Sequence, residues 1–205
     1  MSNKKHLSVE MIEEVHQSIR NTSPYLERSL NKHLHQAWVL DLLQKIAKER
    51  KQTTVVDVGC GIGLLGAYLL NLTNITYIGV DRVERYLEAG RKLFRKLGHY
   101  PSNLLCRNVY SDKLPKADIL IFLGYEDEFT DYQRLYNICK EYNEIMISIA
   151  GRGMWEYTKS IGKYPPLNFI PEKNFEDIFL KDFLIMKKRK IKRGRILYWL
   201  QRTIK

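Results

Sequence analysis

At 205 residues and 44% hydrophobic side chains, the chain has the length and apolar content for one globular domain, and a second full domain is not expected. The polar start lacks the apolar centre of a secretory signal and no apolar run approaches the roughly 20 residues that cross a bilayer, so the chain reads as cytoplasmic. A formal charge of +11 favours a polyanionic partner or reflects only biased base composition, and Cys60, Cys106 and Cys139, widely spaced and without a CxxC pair, read as reduced thiols rather than disulfides or metal ligands.

Apolar residues at Val9, Ile12, Val15 and Ile19 predict a short helix over residues 8–20. Ser23 as N-cap and Pro24 open a longer amphipathic helix over 25–50, with Leu26, Leu30, Leu34, Trp38, Leu42 and Ile46 on one stripe. From residue 53 the period changes. Strands are expected at 53–58, 76–80, near Leu104 and Leu105, at 117–123 and at 144–150, alternating with helices at 64–71, 82–97 and 127–141. The loop over 162–173, with Pro165, Pro166 and Pro171, is the least regular stretch. Residues 178–188 and 195–204 look extended around an Arg193-Gly194 turn, which predicts a closing antiparallel hairpin. The expected architecture is α/β: a doubly wound, mostly parallel sheet with an antiparallel C-terminal hairpin strand, helices on both faces and N-terminal capping helices. Residues 1–50 are the cap, 51–150 a cofactor-binding core, and 151–205 the substrate-side loop and hairpin.

The first predicted strand runs into Gly59, Cys60, Gly61, Ile62 and Gly63. In an open α/β sheet ligands bind beyond the carboxyl ends of the strands, and backbone comes closest to them at the first strand-to-helix turn. Glycines at alternate positions allow positive φ and are expected to leave backbone N–H groups aimed at a ligand. Asp81 ends the second apolar strand, where a carboxylate beside the turn can accept both hydroxyls of a ribose.

Asp57-Val-Gly59-Cys-Gly61-Ile-Gly63 followed by a strand ending in Asp81 resembles class I S-adenosylmethionine-dependent methyltransferases over roughly residues 53–150, with an extension toward the end of the chain. The resemblance implies S-adenosyl-L-methionine as cofactor. Asp57, Gly59, Cys60, Gly61 and Gly63 would surround its methionine part, Asp81 would hold the ribose with Arg82 beside the adenine, and Asn108, Val109 and Leu123 would complete the pocket. Asn108 stands where the family commonly places an acidic or amide group against the adenine amine, and its carbonyl is the expected acceptor. Asp57 also has a purely structural reading, as an anchor for backbone amides of the turn. Cys60 reads as a small buried turn residue rather than a nucleophile, and Gly66 as a helix–sheet packing glycine. Gly61-Ile-Gly63-Leu-Leu-Gly66 formally fits the GxGxxG of dinucleotide-binding dehydrogenases, the competing reading. A non-catalytic binding module for RNA or protein on the same fold is the other.

The acceptor is less legible. Glu126 and Asp127, after the fourth strand, are candidates for a general base and equally for helix caps. Tyr125, Arg152 and Trp155 are candidate substrate contacts. Neither an Asn/Asp-Pro-Pro-Tyr/Phe motif nor a Pro-Cys pair occurs, which argues against the amino-group and cytosine-C5 chemistries those motifs serve and leaves oxygen, other nitrogen, sulfur and carbon acceptors open; a small molecule and RNA are the two acceptor classes expected. Lys187, Lys188, Arg189, Lys190, Lys192, Arg193 and Arg195 crowd the final hairpin, where they would attract phosphates or only keep an edge strand soluble.

Overall fold

The computed structural model describes residues 33–70, 72–99, 103–123, 132–152, 156, 172–191 and 194–203. The predicted helix over 8–20 and the first part of the one over 25–50 lie outside them. Contacts divide the chain into two compact units, Met1–Ala117 and Asp118–Lys205. The strands form one seven-stranded sheet in the order β3-β2-β1-β4-β5-β7-β6.

In the first unit α1 (His33–Glu49) precedes β1 (Thr53–Val58), α2 (Leu64–Leu69), β2 (Ile75–Asp81), α3 (Glu84–Lys96) and β3 (Leu104–Cys106). Helix α1 buries Trp38, Val39, Leu42, Leu43 and Ile46, a three-to-four spacing that puts one stripe against the core. β1 pairs parallel with β2, and β2 with β3. β1 buries five of its six residues, on both faces of the strand, as a parallel strand covered on both sides does. Helix α3 carries Glu84 in its first turn and Arg95 and Lys96 in its last, which matches the helix dipole. It stops at Gly98, whose φ of 78° lets its N–H reach the Arg95 carbonyl while the His99 N–H reaches that of Phe94. These two bonds satisfy carbonyls the helix end would otherwise leave orphaned.

The second unit runs β4 (Ile119–Phe122), α4 (Tyr132–Cys139), β5 (Glu144–Ala150), α5 (Glu172–Phe179), β6 (Phe183–Lys190) and β7 (Arg195–Arg202). β4 pairs parallel with β5, and β7 is antiparallel to both β5 and β6. The closing hairpin is therefore present, but its first arm is shorter than expected. Residues 172–179 form a helix where the sequence suggested the end of an irregular loop and then extended chain from residue 178. Phe175 and Phe179, one helical turn apart, explain the difference: they stack on each other at 4.3 Å, and both are fully buried. Tyr132 meets Phe175 edge-on at 5.3 Å, Tyr136 meets Phe179 at 5.6 Å, and Tyr198 lies 4.9 Å from Phe175. A helix brings residues i and i+4 within stacking distance, whereas in a strand they would lie roughly 13 Å apart, and aromatic burial of this size outweighs weak local preference. Among the described residues no helix is long and apolar enough to cross a membrane.

Candidate cofactor site

The register of β1 on β2 sets Asp57 opposite Gly79 and Val58 opposite Val80, so the chain leaves β1 beside the end of β2. Gly59, Gly61 and Gly63 then take φ values of 70°, 59° and 72°, the left-handed region in which side chains are strained. Their amides are engaged within the protein rather than aimed outward as expected. Gly59 N–H donates to the Val80 carbonyl at 2.8 Å, Gly63 N–H to that of Cys60 at 3.0 Å, and Gly61 N–H to Asp81 Oδ2 at 2.8 Å. These bonds extend the β1–β2 ladder into the turn and so fix its path. What the turn offers a ligand is bare backbone: a Cβ at Gly61 would meet no atom within 4 Å. Gly63 differs, since a Cβ there would approach Leu104 to 2.9 Å and Phe94 to 3.4 Å, a packing constraint toward the core.

Beneath the turn, Asp57 is buried and accepts a 2.8 Å hydrogen bond from the Tyr77 hydroxyl. Burial, and after it the Asp57 charge, push the Tyr77 hydroxyl well above the ordinary tyrosine range, so it stays a donor. The ring is wedged against Gly66, where an added Cβ would collide with three of its carbons, which places Gly66 in packing as expected. Cys60 is buried as well, its Sγ 3.6 Å from the Gly61 carbonyl.

Asp81 is half-buried and works twice on backbone: besides holding Gly61, its Oδ1 accepts from Val83 N–H at 2.9 Å. An ionised carboxylate has about four acceptor positions, so capacity remains for a ligand's hydroxyls. The Asp81 carbonyl takes Arg107 N–H at 3.0 Å, and that of Arg82 faces Cys106 Sγ at 3.7 Å, which ties the segment after β3 to the end of β2. Within that segment the Asn108 side-chain carbonyl already accepts from Tyr110 N–H at 3.0 Å, closing a turn on itself. The acid missing at that position in the sequence stands four residues on, as Asp112. Its Oδ2 accepts from Asn108 N–H at 2.8 Å, and this bond, followed by the one from the Ser111 hydroxyl, holds the carboxyl below its usual range. Asp112 bears no family motif, and its only signal in the sequence is that of turn chemistry, an Asp that reaches back to a backbone amide. Val109 is buried between them in the chain.

In the second unit Leu123 is buried directly after β4. Tyr125, Glu126, Asp127 and Trp155 lie outside the described residues. Arg152 is exposed and pairs with Glu156 at 2.9 Å. Gly151 N–H donates to the Gly194 carbonyl at 3.0 Å, and a Cβ on Gly151 would run into that oxygen, so the end of β5 is fastened to the start of β7.

No family model and no curated protein matches the sequence. Solved structures do match. Magnesium protoporphyrin IX methyltransferase from Synechocystis PCC 6803, with bound S-adenosylhomocysteine, aligns with a TM-score of 0.67 over 89% of each chain at 17% identity. A S-adenosylmethionine-dependent methyltransferase from Clostridium acetobutylicum ATCC 824 aligns at 0.65 over 95% of this chain and 98% of that one, with 14% identity. The 16S rRNA methyltransferase RmtF, with S-adenosylhomocysteine, aligns at 0.60 over 95% and 75%, with 14% identity. The fold, including the sheet order and the antiparallel β7, is that of the class I S-adenosylmethionine-dependent methyltransferases.

Proposed function

We propose that the whole chain is one S-adenosylmethionine-dependent methyltransferase domain. The observation that carries the reading is the open space over the bare backbone of Gly61 with the Asp81 carboxylate hydrogen-bonded to the same residue. A cofactor with a ribose and a flexible amino-acid arm needs such a pair: backbone without side chains to lie against, and a fixed anion to accept the diol. Gly59, Gly61 and Gly63 with Cys60 and Asp57 would lie at the methionine part. Asp81 would accept the ribose hydroxyls, Arg82 and Asn108 would lie at the adenine, and Val109 and Leu123 are the further candidates for cofactor contact. Asp112 enters as the residue that holds the Asn108 turn in shape. Asp57 would lie at the methionine part while its carboxylate accepts from the buried Tyr77 hydroxyl.

When bound, the cofactor supplies an activated methyl whose bond to sulfur breaks as the acceptor atom bonds to it in line, leaving S-adenosylhomocysteine. The protein's share is then alignment and exclusion of water, and a base is needed only where the acceptor must shed a proton. Glu126 and Asp127 are the candidates for that base, and Tyr125, Arg152 and Trp155 for acceptor contacts. Proteins of this fold carry names that include a porphyrin, ribosomal RNA and a ribosomal protein as acceptors. For this chain the acceptor is a small molecule or RNA.

Calorimetric titration with S-adenosylmethionine, S-adenosylhomocysteine and NAD tests the cofactor. Binding of the first two and not of NAD is the expected result; NAD alone binding would make the protein a dinucleotide enzyme. Transfer of labelled methyl to RNA or small-molecule fractions of a cell extract tests catalysis, and binding without any transfer would favour the non-catalytic module.

A further inference from the structure

The seven basic side chains of the final hairpin are not equivalent. In the β6–β7 register Lys188 lies opposite Tyr198 and Lys190 opposite Ile196, whereas Lys187 lies opposite Trp199 and Arg189 opposite Leu197. Partners directly opposite in an antiparallel pair share a face, so the two sets point to opposite sides of the sheet. An irregularity between Ile185 and Lys187 sets this phase: one extra residue there switches which side chains follow on each face.

On one side the charges are spent. Lys188 pairs with Glu172 and, at 2.7 Å, with Glu176, while Lys190 reaches Glu172 at 3.5 Å, all under α5. Arg195 is buried, and Lys192 and Arg193 lie outside the described residues. On the other side Lys187 and Arg189 are exposed and have no ion pair among the described residues. Beside them stands Trp199, half-buried, with its indole N–H donating at 3.0 Å to the buried carboxylate of Glu144. That bond fixes the ring, which is therefore a pre-oriented platform on the strand next to the sheet's edge, beside two unneutralised cations. Charges that served only to keep the edge soluble would need no fixed aromatic ring among them.

We propose that the face of β6 and β7 bearing Lys187, Arg189 and Trp199 docks single-stranded RNA, with phosphates on the two cations and a base on the indole. Every base has a face that can stack, and every phosphate carries a charge, so this chemistry fits a single strand of loose sequence preference. The two cations sit two residues apart on an extended strand, roughly 6.6 Å, a separation over which neighbouring charges of one strand can be met together. The net charge of +11 aids the approach. Resting on the methyl-transfer reading, the docked RNA is also the acceptor: the bond between Gly151 and Gly194 joins this hairpin to the end of β5, beside the acceptor candidate Arg152. The new bond then forms between the methyl carbon and an oxygen or nitrogen of the RNA as the methyl–sulfur bond breaks with its electron pair going to sulfur, and the acceptor atom gives up its proton to a base or to water.

Fluorescence anisotropy with a fluorescein-labelled single-stranded RNA of about a dozen nucleotides, at several salt concentrations, tests the docking surface. The double variant K187E/R189E should lose at least tenfold in affinity at low salt and flatten the plot of log affinity against log salt by about 1.4, two phosphates at roughly 0.7 each. W199F should weaken binding severalfold and leave that slope unchanged. K45E/K48E, the same change of charge on exposed positions of α1, should lose much less. RNA binding that is absent from the native protein, or equal in K187E/R189E and K45E/K48E, would overturn the proposal. S-adenosylhomocysteine titrated into K187E/R189E should bind as to native protein, so a failed docking surface and a failed cofactor site give different results. RNA that binds through these residues yet receives no methyl supports the surface and removes RNA as the acceptor.

Discussion

Replacing Asp81 with Ala removes two hydrogen bonds at once, from Gly61 N–H at 2.8 Å and from Val83 N–H at 2.9 Å. Bonds to a charged group contribute about 1.5–3 kcal/mol each when sheltered, and the half-exposure of Asp81 argues for a value at or below the bottom of that range. Taking roughly 1–1.5 kcal/mol per bond, Asp81→Ala should cost about 2–3 kcal/mol, which at this chain length lowers Tm by about 4–12 °C. Asp81→Asn keeps one acceptor oxygen and should cost about half as much. The proposed ribose contact adds a separate effect. Loss of the carboxylate should weaken S-adenosylhomocysteine binding at least tenfold, or about 1.4 kcal/mol. Thermal unfolding gives the first quantity, and calorimetric titration near 15 °C, where both variants remain folded, gives the second. An Asp81→Ala protein that binds S-adenosylhomocysteine within twofold of native would refute the role given to this carboxylate. A lowered Tm with unchanged affinity would leave it a structural residue of the turn.

Gly66→Ala forces a methyl into the Tyr77 ring, which its hydroxyl bond to Asp57 holds in place, and should cost roughly 1–3 kcal/mol; an unshifted melting curve would mean that the ring yields freely. Burial raises the Tyr142 hydroxyl from 10.0 to about 12, so its contribution is intact below pH 10 and is lost as pH climbs toward 12. Tyr142→Phe should therefore flatten the fall in urea midpoint over that interval, and an identical slope would contradict the shift. Lys188 is raised by Glu172 and Glu176 against the opposing effect of its own burial, and Glu172 is held below its usual range by Lys188 although burial works the other way. The Glu172 contribution is present above about pH 4.5 and disappears as pH falls through its lowered value. Lys188→Gln should cost about 0.5–1 kcal/mol at pH 7, a modest figure because the pair is part-exposed, and the cost should vanish at low pH. A constant difference from pH 3 to 7 would argue against the pairing.

The strands β1, β2 and β5 and the glycine turn were legible because their signals are local. A run of β-branched residues, a glycine at every second position and an acid at a strand end each leave a mark within a few residues. For the same reason β1 and β5 have the bounds that periodicity predicts, Thr53–Val58 and Glu144–Ala150. Helix α5 was not legible. Its eight residues are too few to declare a helix, and what holds them is the meeting of Phe175 and Phe179 with Tyr132, Tyr136 and Tyr198, which are distant in the chain.

The same division runs through the site. Sequence by itself determined which residues gather at the carboxyl ends of β1 and β2 and that Asp81 stands beside the turn. Tertiary structure decided what each does there: that the glycine amides are satisfied internally, that Asp57 faces Tyr77, and that Asp112 holds Asn108. It also decided which hairpin cations remain unpaired, since the phase of β6 depends on one extra residue and on where α5 brings its glutamates. Composition counts charges, but only packing brings an opposite charge within reach of some of them.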